Sequence, residues 1–164
     1  DIRKKLPFPD NYFDNIYCSQ VVEHLYKYDL IFLIEECYRV LKKGGTARFL
    51  TPDLDKIINL YNKNNLNIFK INDLLDSDNI CNHFNTMFYP RSNVLNLKRS
   101  FITKLFDFVP QQHKYIYNFD TLSYLFTSNG FINTHIVDTV NSKFPDVKLL
   151  DRYQDVSLLL EASK

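Results

Sequence analysis

The chain reads as an α/β fold with parallel strands joined by crossover helices. Two observations predict this. From residue 13 to about residue 62, β-favouring runs alternate with apolar stripes at helical spacing, in the order strand, helix, strand, helix. Of the 164 residues, 45% are hydrophobic and 24% charged, an ordinary composition for one soluble domain with one core. Lys plus Arg is 20 and Asp plus Glu is 19, a formal net charge of +1, so charge gives no argument for a nucleic-acid or anionic-membrane partner. No apolar run reaches the roughly 18 residues of a membrane span, and residues 1–12 hold no signal-peptide core. Cys18, Cys37 and Cys81 are an odd, widely spaced set. They are expected to be reduced thiols in a cytoplasmic protein.

A third observation qualifies the fold. There are only three glycines, Gly44, Gly45 and Gly130, where average usage would give about eleven. Nucleotide-binding α/β domains carry a Gly-rich phosphate or cofactor loop. This chain has none and begins at Asp1 rather than Met. The expectation is either a different kind of protein or one whose front end is missing.

The elements follow in order. Leu6-Pro7-Phe8-Pro9-Asp10-Asn11 is a turn-rich approach. Phe13–Ser19 reads as a strand, and Gln20 to Leu25 as one or two helical turns. Asp29 is the expected N-cap of a helix over residues 30–42, with Leu30, Leu33, Ile34, Cys37, Tyr38 and Leu41 as its apolar stripe. Lys42 and Lys43 suit the negative end of the helix dipole, and Gly44-Gly45 the left-handed stop. Residues 46–51 form the next strand, ended by Pro52. Asp53 caps a further helix with Leu54, Ile57, Ile58 and Tyr61 on one face. Residues 62–117 read as an irregular insertion or cap, rich in Asn and aromatics, with one amphipathic helix around Phe101, Ile102, Leu105, Phe106 and Val109. Asn118 caps a helix to about Asn129, stopped by Gly130. Residues 131–138 and 156–162 are the last strands, joined by a loop with Pro145, Asp151 and Arg152. Residues 1–164 show no repeat and no linker, so a single domain is expected.

Several segments in this order resemble one family. Residues Leu6 to Asp14 look like the "LPFPDNSFD" segment of class I S-adenosylmethionine-dependent methyltransferases of the type-11 group. Val21-Val22-Glu23-His24-Leu25 is similar to that group's "VLEHL". Residues Tyr38 to Gly45 resemble "YRVLKPGG", with Lys43 where Pro is usual, and Thr51-Pro52-Asp53-Leu54 resembles "VPDL". Residues His113 to Asn118 resemble an "HKWxYD" segment of one subgroup of small methyltransferases, the source of a small-molecule or glycan expectation for the acceptor.

The resemblance implies a Rossmann-like sheet with helices on both faces, ending in an antiparallel hairpin. On that pattern this chain supplies the fourth to seventh strands. The first three strands and the Gly-rich loop are missing, leaving a single partial domain of roughly 60% of the usual length. An open sheet edge and a tendency to aggregate follow.

The resemblance also implies S-adenosylmethionine as cofactor. Asp1 and Ile2 match its adenine contacts, and Ser19 and Gln20 line its methionine portion at the carboxyl edge of the sheet. Gln20 stands where the family often has His. Methyl transfer is a direct displacement that needs a base only for some acceptors. Glu23, His24 and His113 are the acid–base candidates. For His24 a structural role, packed under the sheet edge and bonded to a backbone carbonyl, is the favoured alternative, and for His113 a surface turn is equally open. No metal site is expected, because the spacing of Asp78, Cys81 and His83 matches no zinc signature. Phe84, Phe88, Tyr89 and Arg91 either shape an acceptor pocket or form the insertion's own small core. Two functions stay open: methyl transfer, or a methyltransferase-like binding module that has lost the cofactor loop.

Overall fold

Strand pairing organises the chain. In the computed structural model, which describes residues 1–65, 80–86, 88, 113–138, 142, 144–151 and 154–164, four strands form one sheet. They are β1 (Phe13–Ser19), β2 (Leu41–Pro52), β3 (Ile132–Ile136) and β4 (Ser157–Ser163), in the order β1-β2-β4-β3. β1 and β2 are parallel, with Ile16 opposite Ala47 and Ser19 opposite Leu50. β4 runs antiparallel to both β2 and β3. The expected parallel pair and closing antiparallel hairpin are therefore both present. Among the described strands, β1 is an edge.

The helices are α1 (Lys27–Val40), α2 (Leu54–Asn62), α3 (Ile80–Thr86), α4 (Phe119–Ser128) and the short α5 (Val147–Leu150). α1 and α4 share one face of the sheet. Leu30, Leu33, Ile34 and Cys37 of α1, with Leu122, Leu125 and Phe126 of α4, bury against Ala47, Phe49, Leu158 and Leu160. On the opposite face Leu50, Leu159 and Val137 form a smaller cluster with Tyr17. β2 is thus covered on both faces, which explains its continuous burial from residue 47 to 52.

Local signals placed two caps as expected. The Asp53 side chain accepts from the amides of Asp55 and Lys56, and Asn118 from that of Thr121. Gly130, at φ +94°, lets the chain leave α4. The capping of α1 differs. It starts at Lys27 behind Tyr26, and Asp29 lies in the first turn, where it still suits the dipole. α1 also ends earlier than expected. Leu41 is already extended and pairs with Phe13, so sheet pairing overrides the glycine stop. Gly44 and Gly45 instead serve a bulge, in which β1 advances from Phe13 to Asn15 while β2 advances from Leu41 to Thr46. A Cβ on Gly45 would lie 2.7 Å from the Asp14 carbonyl oxygen, so the strands approach too closely for any other residue.

On α2 only Ile57 of the expected face is fully buried. Ile57, Ile116, Phe84 and Phe88 pack together, so these two phenylalanines form a small core of their own. Tyr89, Arg91 and the helix expected around Phe101 to Val109 lie outside the described residues. All three cysteines are free thiols, and burial pushes that of Cys37 up to about 12. No helix among the described residues is long and apolar enough to cross a membrane.

Candidate active site

β1 ends at Ser19, and the chain reverses at Gln20, whose φ of +54° is unusual for a residue with a side chain. Two bonds hold that reversal. The Gln20 amide donates to the Leu50 carbonyl at 2.9 Å, and Nε2 donates to Ser157 Oγ at 3.2 Å. The next residues form one 3₁₀ turn, Val22–His24, seated over the carboxyl ends of β1 and β2. Val22 is wholly buried and anchors it.

The Glu23 carbonyl then accepts from the amides of Lys114, at 2.6 Å, and Tyr115, at 3.3 Å. This backbone clamp draws residues 113–117 over the turn. Its result is that the rings of His24 and His113 meet at 4.9 Å between centroids. The Glu23 side chain points inward and is 1% exposed. Its Oε2 accepts from Thr51 Oγ1 at 3.3 Å. Its Oε1 has no hydrogen-bond partner among the described residues and lies 3.8 Å from His24 Nε2. Burial pushes this carboxyl above its ordinary range, against the pull of His24 and Thr51. One nitrogen or oxygen atom from each of Glu23, His24 and His113 lies within 4.8 Å of the other two. Beside them the Tyr117 hydroxyl is also buried without a hydrogen-bond partner among the described residues. Burial, Tyr115 and Glu23 push it up to about 12.

Of the three acid–base candidates, His24 lines a cleft of about 660 Å³ whose walls also include Asp1, Ile2, Gln20, Val21 and Lys114. Ser19 faces a neighbouring apolar hollow of about 460 Å³, shared with Ile2, Cys18, Leu33 and Phe49. Three of the four expected cofactor residues thus line one cleft, and the fourth lies next to it. The Asp1 carboxylate is engaged by Arg3, which donates from its amide, Nε and Nη2 at 2.9–3.1 Å.

The structure therefore brings all three acid–base candidates together. Thr51 is the residue sequence reading missed: its motif marked only a strand end, and its bond to Glu23 has no local signal. Of Asp78, Cys81 and His83, only the Cys81 side chain is described. It is exposed, and its Sγ accepts from Asn85 Nδ2 at 3.4 Å.

The parallel β1–β2 pair, the cleft beside its carboxyl edge and the closing antiparallel hairpin fit the Rossmann-like sheet that the motifs imply. Residues 1–49 match the family described as "Methyltransferase domain". A probable S-adenosylmethionine-dependent methyltransferase of Mycolicibacterium smegmatis is 32% identical over 80 residues, 44% of this chain and 30% of that protein. A SAM-dependent methyltransferase of Archaeoglobus fulgidus superposes over 100% of this chain and 65% of its own, with TM-score 0.52 and 17% identity. Human N-acetylserotonin methyltransferase, solved in complex with SAM, superposes over 100% of this chain and 32% of its own, with TM-score 0.50 and 14% identity. The chain spans less than a third of the curated relative and about two thirds of the archaeal structure. The family resemblance read from the motifs is borne out, and with it the Rossmann-like fold.

Proposed function

We propose that this chain belongs to a cytoplasmic enzyme that moves a methyl group from S-adenosylmethionine to a small-molecule or glycan acceptor. One observation carries the reading. The adjacent Glu23 and His24 meet His113, distant in sequence, and His24 lines a cleft whose walls hold three of the four expected cofactor residues, Asp1, Ile2 and Gln20. The cleft's position at the carboxyl end of parallel strands is where open α/β sheets take ligands.

The cofactor supplies an electrophilic methyl carbon on a sulfonium. What the protein must add is alignment, because displacement needs nucleophile, carbon and sulfur in line. Ser19 and Gln20 would hold the methionine side, the Gln20 reversal being fixed to β2 and β4 by the bonds above. Asp1 and Ile2 would border the adenine side, with the Asp1 carboxylate exchanging Arg3 for the exocyclic amine. An imidazole nitrogen of His24 or His113 would take the proton of an acceptor hydroxyl or ammonium, with Glu23 orienting His24. Residues 113–117, clamped to Glu23, form the acceptor side of the cleft.

Two measurements test this. Calorimetric titration of the full-length protein with S-adenosylmethionine is expected to show saturable binding, whereas residues 1–164 alone are expected to be inactive. Labelled cofactor, offered with a panel of hydroxylated small molecules and oligosaccharides, is expected to label one acceptor class. Replacement of His113 by Ala should leave cofactor binding intact and lower turnover by about 100-fold or more. Folded full-length protein that binds no cofactor would sink the reading in favour of a non-catalytic binding module.

A further inference from the structure

The geometry points to a divalent transition-metal site, of the zinc type, formed by Glu23 Oε1, His24 Nε2 and a ring nitrogen of His113. The site goes beyond the methyl-transfer reading and does not depend on it. It also departs from the sequence expectation of no metal, which considered only Asp78, Cys81 and His83.

Three features carry it. The first is the donor set. Two imidazoles and one carboxylate suit Zn²⁺, Co²⁺ or Ni²⁺, and suit Mg²⁺ or Ca²⁺ poorly. The second is spacing. Bonds of about 2.1 Å in a tetrahedral site place ligand atoms about 3.4 Å apart. Here Glu23 Oε1 and His24 Nε2 are 3.8 Å apart, and all three donors lie within 4.8 Å. Small side-chain rotations close that gap. The third is independent of both. Glu23 is a buried carboxylate with one oxygen bonded to Thr51 and the other aimed at the histidines without a hydrogen-bond partner among the described residues. Burying a carboxylate oxygen so costs free energy unless a cation or donor meets it. A metal ion supplies that cation, and the Thr51 bond orients the carboxylate as outer-shell partners of metal ligands do.

Two of the donors are half-buried rather than enclosed, since His24 borders the cleft. The ion would keep at least one coordination position open toward it. Three protein ligands with an open fourth position are the pattern of catalytic rather than structural zinc. The ligand class for that position is an oxygen donor, such as water or an acceptor hydroxyl. Binding to the ion would lower its pKa. With metal bound, the imidazoles act as donors, and the ion takes over acidification of the acceptor.

The test uses the full chain, stripped with a chelator and titrated with Zn²⁺ in the calorimeter and Co²⁺ in the visible spectrophotometer, without cofactor. One equivalent of each is expected to bind. Glu23→Gln and His113→Gln should each weaken binding by more than about tenfold. His135→Gln, at an exposed position on β3 away from the cleft, should leave it unchanged. Circular dichroism confirms that each variant is folded, and the half-buried His113 keeps the test valid should Glu23→Gln unfold. Folded wild-type protein that takes up no stoichiometric metal overturns the proposal. So does undiminished affinity in His113→Gln. Metal binding to this chain, with no S-adenosylmethionine binding by the folded full-length protein, would refute the methyl-transfer reading and leave this one standing.

Discussion

At the scale of single residues, Glu23 is where structure and stability pull apart. Its side chain is almost wholly buried, and one carboxylate oxygen has no hydrogen-bond partner among the described residues. Such a group destabilises the fold it sits in unless a cation or donor meets it. Glu23→Gln keeps an oxygen for Thr51 and removes the buried charge. At neutral pH the expected outcome is a Tm that is unchanged or higher, equivalent to up to about 1 kcal/mol, together with loss of turnover. A clear fall in Tm would make Glu23 a structural anchor instead. The Val21-to-Leu25 motif singled out Glu23 and His24 directly. It could not reveal that Thr51 holds the carboxylate, because that bond joins the turn after β1 to the end of β2, across the whole of α1.

At the scale of elements, the join between β2 and β4 depends on a buried charge cluster. Arg48 and Glu161 are register partners across the two strands. Arg48 is fully buried and donates from Nη1 to Glu161 Oε1 at 2.6 Å. It also donates from Nε and Nη2 to the carboxylate of Asp151, which follows α5. Burial opposes the charge on Arg48, but these two carboxylates outweigh it and raise its pKa. Tyr17 joins from β1, its hydroxyl donating to the Leu150 carbonyl at 2.8 Å. Removing one member of a buried ion cluster leaves the others uncompensated. Asp151→Asn is expected to cost about 3–5 kcal/mol in urea unfolding. A loss below about 1 kcal/mol would show that the cluster does not hold the segment after β3 onto the sheet. Strand alternation alone assigns Arg48 to a solvent-facing position. It is buried because Asp151 lies over that face and Phe144 packs beside Tyr17, which no local pattern announces.

At the scale of the molecule, the cleft depends on how the N-terminal segment is tied down. Glu36 and Arg39, on α1, hold it. The Leu6 amide donates to Glu36 Oε2 at 2.7 Å, while Arg39 donates to the Phe8 carbonyl at 2.9 Å and to Asp10 Oδ1 at 2.7 Å. The Arg39 bond to Glu36, and then the Leu6 amide, hold the Glu36 carboxyl below its ordinary value. Its folded pKa is therefore below the unfolded one of about 4.3. The stabilisation is complete above that unfolded value and is lost as pH falls through the folded one. Hydrogen exchange across residues 2–10 is expected to quicken below about pH 4 before the amides of β2 and β4 do. Uniform behaviour across the chain would show that Glu36 does not tether this wall of the cleft.

The sequence by itself determined the order of the elements, the caps at Asp53 and Asn118, and the motif series that carries the family resemblance. Each depends on residues a few positions apart, where spacing and side-chain chemistry act directly on the backbone. Only the tertiary structure decided that β4 enters between β2 and β3, that α1 yields to strand pairing at Leu41, and that His113 meets His24. These outcomes come from contacts between residues far apart in the chain. Their free energy belongs to the packed sheet and to the backbone clamp at Glu23, and no single segment contains the information.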